Sequence, residues 1–382
     1  MRHSDSEKKN NTLKFVMILL IIIVVAAGVL AAKIFVDKKN TEDVASNNGP
    51  DGDDTINVAL DKKEVQIFKS NKRPIAVMID NVGKDAWPQS GLNEAFIVYE
   101  IVVEGGISRI MAVFKETVPE EIGPVRSARP YYLDYALEND AIYVHFGHSY
   151  QAADDIKSLD VDDIEGLYDD NAFWRTRDLI APHNAMTSAE RINASIAKNK
   201  YRTTSSDKGL LQYVTDEFDL DPIYEEETSD LENTVDVVSE DIPKTILNTA
   251  NNIKVTYSTS HSTSYTYDSE NKVYKRFMRG TPHTDKITKE QYTAKNIIVQ
   301  FVKNSALIDS RETPTSGHQK LSTVGSGDGY FFTNGRYIEI KWSKSSRSAK
   351  TKYTDLDGNV IDVNDGITYI QITPEGQKVT IE

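Results

Sequence analysis

An uncharged apolar run near the start of the chain constrains the fold most. Residues 15–32 read FVMILLIIIVVAAGVLAA, and Lys14 and Lys33 bound them. Runs of this length span a bilayer as a helix, whereas the apolar part of a cleaved signal peptide is shorter, at about 7 to 15 residues. We therefore predict an uncleaved transmembrane anchor over 15–36. A cleaved signal peptide, with Val29 and Ala31 at the cleavage site, is the alternative.

The segments on either side of the anchor predict a topology. Basic residues occur on both sides, so the charge bias that keeps the basic side in the cytoplasm is slight, but the tail of residues 1–14 is short. Residues 37–72 are polar and rich in Gly, Asn and Asp. They predict a flexible stalk with an r.m.s. reach of roughly 30 to 36 Å. We expect a single-pass protein of the cell membrane, with a cytoplasmic tail and extracytoplasmic C-terminal domains.

Charge and cysteine content exclude several kinds of site. Acidic residues number 58 against 44 basic ones, giving a formal net charge of −14, so a nucleic-acid partner is not expected. The chain has no cysteine, which removes disulfides, CxxC metal sites and thiol nucleophiles. DLDGN at 355–359 begins like a calcium loop, but Gly366 stands where the twelfth position needs an acid. We predict neither a metal nor a cofactor.

Folded sequence is predicted to begin at Arg73. PIAVMID is short, apolar and bounded by polar residues, which is typical of a buried strand. FIVYEIVVEGGISRIMAVFKE contains two β-rich runs separated by Gly105 and Gly106, which predicts a hairpin. YYLDYALEND has helical spacing, AIYVHFG is a further strand, and TSAE predicts a helix with Thr187 as N-cap. Without regular βαβ alternation, this mixture predicts a layered α+β domain over 73–223.

The second half of the chain predicts a different kind of domain. Residues 224–244 are acidic with little periodicity and are predicted to be a linker. The sequence beyond it, 245–382, is β-rich. Asn334-Gly335 lies between two strand-like runs and is a strong hairpin signal, and Asp357-Gly358 and Asp365-Gly366 repeat it.

Two arginines stand directly before the first predicted helix. IGPVRSARPYY places Arg126 and Arg129 ahead of Pro130, which suits the first helical position and biases Arg129 away from helical geometry. We therefore expect both guanidinium groups near a helix N-terminus, where anions are favoured. A phosphate or carboxylate of a ligand would serve as partner, and so would Glu100 and Glu104 of the preceding hairpin. The sequence leaves both possibilities open.

The acidic pair of the hairpin also has two interpretations. Glu100 and Glu104 are four residues apart, which on a continuous strand places both side chains on one face. Paired carboxylates can divide acid and base duties when their pKa values differ. They can equally neutralise Arg109, Arg126 and Arg129, as structural ion-pair networks do.

Four histidines occur in distinctive contexts. His145 and His148 lie in HFGH, and His183 in APHNA and His283 in TPHTD each follow a proline, which predicts loops. No HExxH and no ligand pair at helical spacing is present, so hydrogen bonding or turn formation is the simplest role. His145 and His183 remain candidates for proton transfer.

The segments RPIAVMIDN, QSGLNEAFIVYEIVVEGGISRIMAVF, IGPVRSARPYYLDYA, AIYVHFG, APHNAMTS, PHTD and NIIVQ together resemble the YerB-like family. This is a domain-of-unknown-function group of bacterial envelope proteins often described as lipoproteins. The resemblance covers the chain from Arg73 to Glu382, with an N-terminal and a C-terminal part. It implies an extracytoplasmic location and a mixed α/β layered fold, and no established reaction. This chain departs from the lipoprotein-like members in lacking a lipobox cysteine, so the apolar run is the expected anchor.

These observations favour an envelope protein that binds peptidoglycan, another cell-wall polymer or an envelope protein partner. The candidate anion or ligand site consists of Arg126, Arg129, Glu100, Glu104, Arg109, His145 and His183. The rival hypothesis is a wall-directed hydrolase or transferase that uses Glu100 or Glu104 with His145 or His183. A purely structural role, with all of these groups salt-bridged, is the third. No catalytic residue follows from the sequence.

Overall fold

The structure, a computed structural model, describes residues 70–206, 209–214, 218–221, 223, 245–313 and 316–382. The predicted tail and anchor, the predicted stalk up to residue 69 and the predicted acidic linker lie outside these residues. Within the described ranges, no helix is long and apolar enough to cross a membrane.

Helices are few and confined to the first half of the described residues. They are α1 Pro130–Glu138, α2 Tyr150–Ser158 and α3 Ala189–Asn199. The strands of this half are β1 Ile75–Ile79, β2 Ile97–Val102, β3 Ser108–Phe114, β4 Ile142–His145, β5 Asp163–Glu165, β6 Trp174–Arg175, β7 Ala185–Met186 and β8 Gln212–Val214. The predicted α+β character is confirmed.

The second half is built from strands, as the sequence predicted. They are β9 Asn248–Thr249, β10 Asn252–Ser258, β11 His261–Asp268, β12 Val273–Met278, β13 Thr281–Pro282, β14 Thr293–Ala294, β15 Asn296–Val302, β16 Asn304–Ala306, β17 Gln319–Leu321, β18 Gly325–Thr333, β19 Arg336–Lys344, β20 Lys352–Thr354, β21 Asp362–Asn364, β22 Thr368–Pro374 and β23 Val379–Ile381.

One sheet of 11 strands runs through both halves, in the order β20-β19-β18-β15-β22-β2-β3-β1-β4-β5, with β9 beside β19. The junction is β22, which pairs in parallel with β2 on one side and with β15 on the other. Strands from before and after the acidic segment 224–244 therefore belong to the same sheet. The predicted domain bounds remain predictions.

The central strands are buried on both faces, which explains their continuous apolar runs. On β2, Tyr99 faces α1, where its ring lies 4.9 Å from that of Tyr135. Its neighbour Glu100 faces the opposite way, toward a second sheet of six strands, β13-β12-β11-β10-β23 with β14 beside β12. Because side chains alternate along a strand, β2 binds a helix with one face and a sheet with the other.

The parallel strands β1, β4 and β5 end at a common edge. β1 pairs with β4 and β4 with β5, both in parallel. The carboxyl ends of such strands are where open α/β sheets bind ligands. Asp80 follows β1 directly, and Phe146 follows β4.

Most of the predicted turns and helix starts agree with the structure. The 96–116 hairpin, the helix after Pro130 and the Asn334-Gly335 turn are all confirmed. The N-cap of α3 is Ser188, not Thr187, whose hydroxyl donates to the carbonyl of Ala172 instead. The hairpin expected at Asp365-Gly366 is wrong, because β21 pairs with β8 while β22 enters the central sheet.

A fully buried ion pair joins the two sheets. Arg276 of β12 donates from Nη2 to Glu100 Oε2 at 2.7 Å, and both side chains are 0% exposed. The hydroxyls of Ser108 and Thr263 also donate to this carboxylate, at 2.5 and 2.8 Å. Burial raises the pKa of Glu100, but the charge of Arg276 and the hydrogen bond from Ser108 outweigh it and hold the pKa below its ordinary value. We call these four residues the interior network.

Removing one partner of this pair should be costly. We expect Arg276→Met to lower the free energy of unfolding by about 3 to 5 kcal/mol, because a buried carboxylate loses its counter-ion. Glu100→Leu with Arg276→Met should lose much less than the sum of the two single changes. Urea denaturation of the full chain in detergent measures both.

The control is Arg202→Met, which breaks an ion pair with Asp140 that is 49% and 30% exposed. It should cost less than about 1 kcal/mol. If Arg276→Met costs no more than Arg202→Met, the interior network does not hold the sheets together.

Candidate functional site

A carboxylate, a guanidinium and an imidazole meet at the carboxyl end of β1. The side chain of Asp80 is 3% exposed. Its Oδ2 lies 2.7 Å from His183 Nδ1 and 3.3 Å from Arg126 Nε. We call these three residues the Asp80 site.

Backbone hydrogen bonds hold the site at the sheet edge. The N–H of Arg126 donates to the carbonyl of Met78 at 3.0 Å, and its carbonyl accepts from the N–H of Phe146 at 3.1 Å. Arg126 is thus fixed between the ends of β1 and β4. His183 reaches Asp80 from the loop that precedes β7. Three separate segments therefore converge on one carboxylate.

Two side chains of the Asp80 site are partly exposed. The side chains of Arg126 and His183 are 26% and 22% exposed. Within the part of the chain that the structure describes, neither terminal guanidinium nitrogen of Arg126 nor Nε2 of His183 has a hydrogen-bond partner. Because Asp80 accepts the Nδ1 proton, Nε2 of the neutral ring carries the lone pair. The guanidinium of Arg126 can hold an anion, and Nε2 of His183 can accept a hydrogen bond.

The second arginine of the motif has an internal partner. Arg129 contacts Glu104 with Nε at 2.5 Å and Nη2 at 3.0 Å, and it is 11% exposed. Arg109 and His318 lie 3.7 and 3.5 Å from the same carboxylate. Burial raises the pKa of Glu104, but the hydrogen bond and charge of Arg129 outweigh it and keep the pKa below its ordinary value. We call these four residues the Glu104 cluster.

The two arginines of the motif pair with different carboxylates. Arg129 has φ −132° and ψ 149°, and it directly precedes the helix, as predicted. Its guanidinium contacts Glu104, whereas the guanidinium of Arg126 contacts Asp80 at the end of β1. The two side chains therefore do not share one partner at the helix N-terminus.

Glu100 does not take part in either cluster. The expectation that it pairs with Arg109, Arg126 or Arg129 is wrong, because its partner is Arg276 in the interior network. The spacing argument failed because β2 ends at Val102, and Glu104 begins a separate turn. A carboxylate that is 0% exposed cannot meet a ligand without opening the interior.

His145 lies apart from the Asp80 site and is fully buried. Its Nε2 lies 3.0 Å from Asp163 and its Nδ1 3.1 Å from Glu165, so it ties β4 to β5. Burial lowers the pKa of His145, but hydrogen bonds to the two carboxylates outweigh it and raise the pKa to about 9. His145 is therefore a structural imidazolium at neutral pH.

His283 is also buried, but its pKa shifts in the opposite direction to that of His145. Burial and the neighbouring charge of Arg276 lower the pKa of His283 well below its ordinary value. The neutral ring accepts from Arg276 at Nδ1 and donates from Nε2 to Gln89 at 2.6 Å. In the described residues, no group of three or more acidic or histidine side chains could hold a metal ion.

Sequence reasoning missed Asp80, the residue that organises the site. A signal was present, because PIAVMID ends a buried strand with a carboxylate, and strand carboxyl ends are common ligand positions. Arg276 was missed as well. The sequence around it is typical of an exposed β-hairpin. Its burial depends on the central sheet, which packs against β12.

The arginines should differ in their effect on stability. We expect Arg129→Met to lower the free energy of unfolding by about 2 to 4 kcal/mol, because Glu104 is left largely buried without its main partner. Arg126→Met should cost less, about 1 to 2 kcal/mol, because its contact with Asp80 is long at 3.3 Å and this buried carboxylate keeps the hydrogen bonds of His183 and of the N–H of Val82. Urea denaturation of both variants tests this. Equal losses would mean that Arg126 is as architectural as Arg129.

His145 should make stability depend on alkaline pH. Its pKa is raised in the folded state, so its contribution is complete below the unfolded value of about 6.5 and is lost as pH rises through about 9. The full contribution is roughly 3 kcal/mol. The difference in unfolding free energy between the wild type and His145→Asn, measured from pH 6 to 10, should shrink as pH rises. A difference that stays constant would show that His145 is neutral in the fold.

Comparisons with known proteins agree with this architecture. The family model described as "Protein of unknown function (DUF3048) N-terminal domain" matches residues 62–202, and the corresponding C-terminal domain matches 253–370. "Putative lipoprotein YerB" of Bacillus subtilis (strain 168) is 30% identical over 311 residues, which are 80% of this chain and 82% of that protein. The crystal structure of YerB from Bacillus subtilis matches with a TM-score of 0.67 at 28% identity, covering 84% of this chain and 97% of that one. The chain therefore belongs to the YerB-like family of DUF3048 proteins, as its motifs predicted.

Proposed function

We propose that this protein is a membrane-tethered envelope protein that binds an anionic cell-wall polymer, with Arg126 holding its anionic groups and Nε2 of His183 accepting a hydrogen bond from the same polymer. The observation that carries this proposal is the Asp80 site. Among the described residues, the terminal guanidinium nitrogens of Arg126 and Nε2 of His183 have no hydrogen-bond partner, and one buried carboxylate holds both side chains at the carboxyl edge of parallel strands.

Local charge supports an anionic ligand. The Asp80 site and the Glu104 cluster together contain three arginines, Arg109, Arg126 and Arg129, against the two carboxylates Asp80 and Glu104. The surplus of one positive charge contrasts with the formal net charge of −14 of the chain. A guanidinium fork suits the paired oxygens of a phosphate or carboxylate. We therefore expect this edge of the sheet to bind phosphate or carboxylate groups.

The extracytoplasmic location rests on the relative and on the sequence. The name of YerB describes a lipoprotein. This chain has no cysteine to carry a lipid. We therefore assign its tether to the apolar run within 15–36, with the described residues on the outer side of the membrane.

The proposal predicts binding to purified bacterial walls that retain their phosphodiester-linked polymers. Sedimentation of the full chain in detergent with such walls should show binding that weakens with salt. Arg126→Gln should lower the affinity by about tenfold or more, because it removes charge-assisted hydrogen bonds. The affinity of Arg126→Lys should lie between those of the wild type and Arg126→Gln, because lysine keeps the positive charge but lacks the planar guanidinium group.

The control is Lys254→Gln, which removes an exposed cation on the six-stranded sheet. It should leave binding unchanged. Equal binding to walls stripped of phosphodiesters by hydrofluoric acid, or unchanged binding by a folded Arg126→Gln variant, would overturn the proposal. Loss of binding after protease treatment of the walls would point to an envelope protein as the partner.

A wall hydrolase or transferase is the second candidate, and the hydrogen bond between Asp80 and His183 is the observation that favours it. A carboxylate that fixes Nδ1 leaves Nε2 free to act as a general base. Glu100 and Glu104 are both engaged by arginines, so the catalytic pair would be Asp80 and His183. Release of soluble fragments from the same walls, lost in His183→Gln, would establish this function instead.

A further inference from the structure

A concave surface distinct from the Asp80 site lies on the part of the central sheet built from β15, β18 and β19. It encloses about 450 Å³ and is lined by aromatic and acidic side chains. The residues that matter here are Phe301, Asp328, Tyr330, Glu339, Lys341 and Glu375. We call this surface the aromatic groove.

The groove follows from strand register. Tyr330 pairs with Val299 and with Glu339 across its two neighbouring strands, so their side chains share one face of the sheet. Further along the same face, Tyr369 and Gln371 of β22 contact the six-stranded sheet. On this face of β18 and β19, Asp328, Glu339 and Lys341 are exposed and Tyr330 is half-buried. The groove is thus the continuation of a packing face.

The aromatic rings of the groove support one another. The Phe301 and Tyr330 rings lie 5.7 Å apart with an interplanar angle of 81°, and Tyr337 meets Tyr330 edge-on at 5.9 Å. Such edge-to-face contacts hold the rings in place while they remain half-buried. The groove therefore has a preformed apolar floor.

The rim of the groove carries surplus negative charge. Asp328 is paired with Lys341. Glu339 and Glu375 are exposed, and among the described residues neither carboxylate has an ion-pair partner. Three carboxylates and one ammonium leave a charge of −2 beside the aromatic rings. A positive group would meet both the ring faces and the carboxylates.

We propose that the aromatic groove binds a peptide segment bearing lysine or arginine side chains. Each cation would pair with Glu339 or Glu375, while its aliphatic stem would lie on Tyr330 and Phe301. A neutral saccharide could stack on the same rings, but it would leave the two unpaired carboxylates without a counter-ion. This proposal concerns a ligand of opposite charge to that of the Asp80 site and does not depend on it.

The test uses calorimetric titration of the full chain in nonionic detergent with capped pentalysine. Side-chain-acetylated pentalysine and chitopentaose serve as neutral probes. Glu339→Gln with Glu375→Gln should lower the affinity for pentalysine by about 4- to 25-fold, at two- to fivefold per exposed ion pair. Tyr330→Leu should lower it by about two- to fivefold through loss of the cation–π contact.

A matched control separates the groove from the general attraction of an acidic chain. Glu270→Gln with Glu290→Gln removes the same charge from exposed positions outside the groove and should leave the affinity within twofold. Equal weakening by both double variants would overturn the proposal. Binding of chitopentaose that depends on Tyr330, with none of pentalysine, would overturn it in favour of a saccharide.

Discussion

The buried pair of Glu100 and Arg276 is the constraint on which the arrangement of the two sheets depends. A buried ion pair is stabilised when further hydrogen-bond donors reach its carboxylate. Ser108 and Thr263 fill positions on the carboxylate, and they come from β3 and β11, one on each sheet. Any shift of one sheet across the other would leave a charge or a hydroxyl without its partner. The interior network thus fixes the register between layers, which apolar packing alone fixes less strictly.

A second buried ion pair lies on the opposite face of the central sheet. Lys344 of β19 contacts Glu138 of α1 at 2.6 Å, and both side chains are 0% exposed. Tyr99 of β2 donates to the other oxygen of Glu138. Both ion pairs therefore join a residue that precedes the acidic segment to one that follows it. Buried charges thus join the two regions with separate family models on both faces of the central sheet.

The sequence predicted local structure better than it predicted partners. Apolar runs, the Asn-Gly turn and Pro130 gave the strands, a hairpin and a helix start, because each depends on a few neighbouring residues. The partner of Glu100 is 176 positions away, and no local pattern announces it. Of the candidate site, Arg126 and His183 were found and Asp80 was not. For Arg129 the sequence left Glu104 and a ligand anion open as partners, and the structure shows Glu104. His145 was a candidate for proton transfer, and the structure places it fully buried between Asp163 and Glu165.

Arg126 and Arg129 belong to one short motif but have different partners, and in the proposed function they would serve recognition and stability respectively. The bidentate contact between Arg129 and Glu104 anchors the residue that starts α1, so the extended segment before it is held at one end. Its other end is fixed by hydrogen bonds to β1 and β4. Arg126 makes these hydrogen bonds with its own backbone, so both ends of the segment 126–129 are anchored. An arginine whose backbone is already fixed loses less conformational entropy on binding than an arginine on a mobile loop would. In the proposed function, the contact of Arg129 with Glu104 therefore helps to keep Arg126 in position for a ligand.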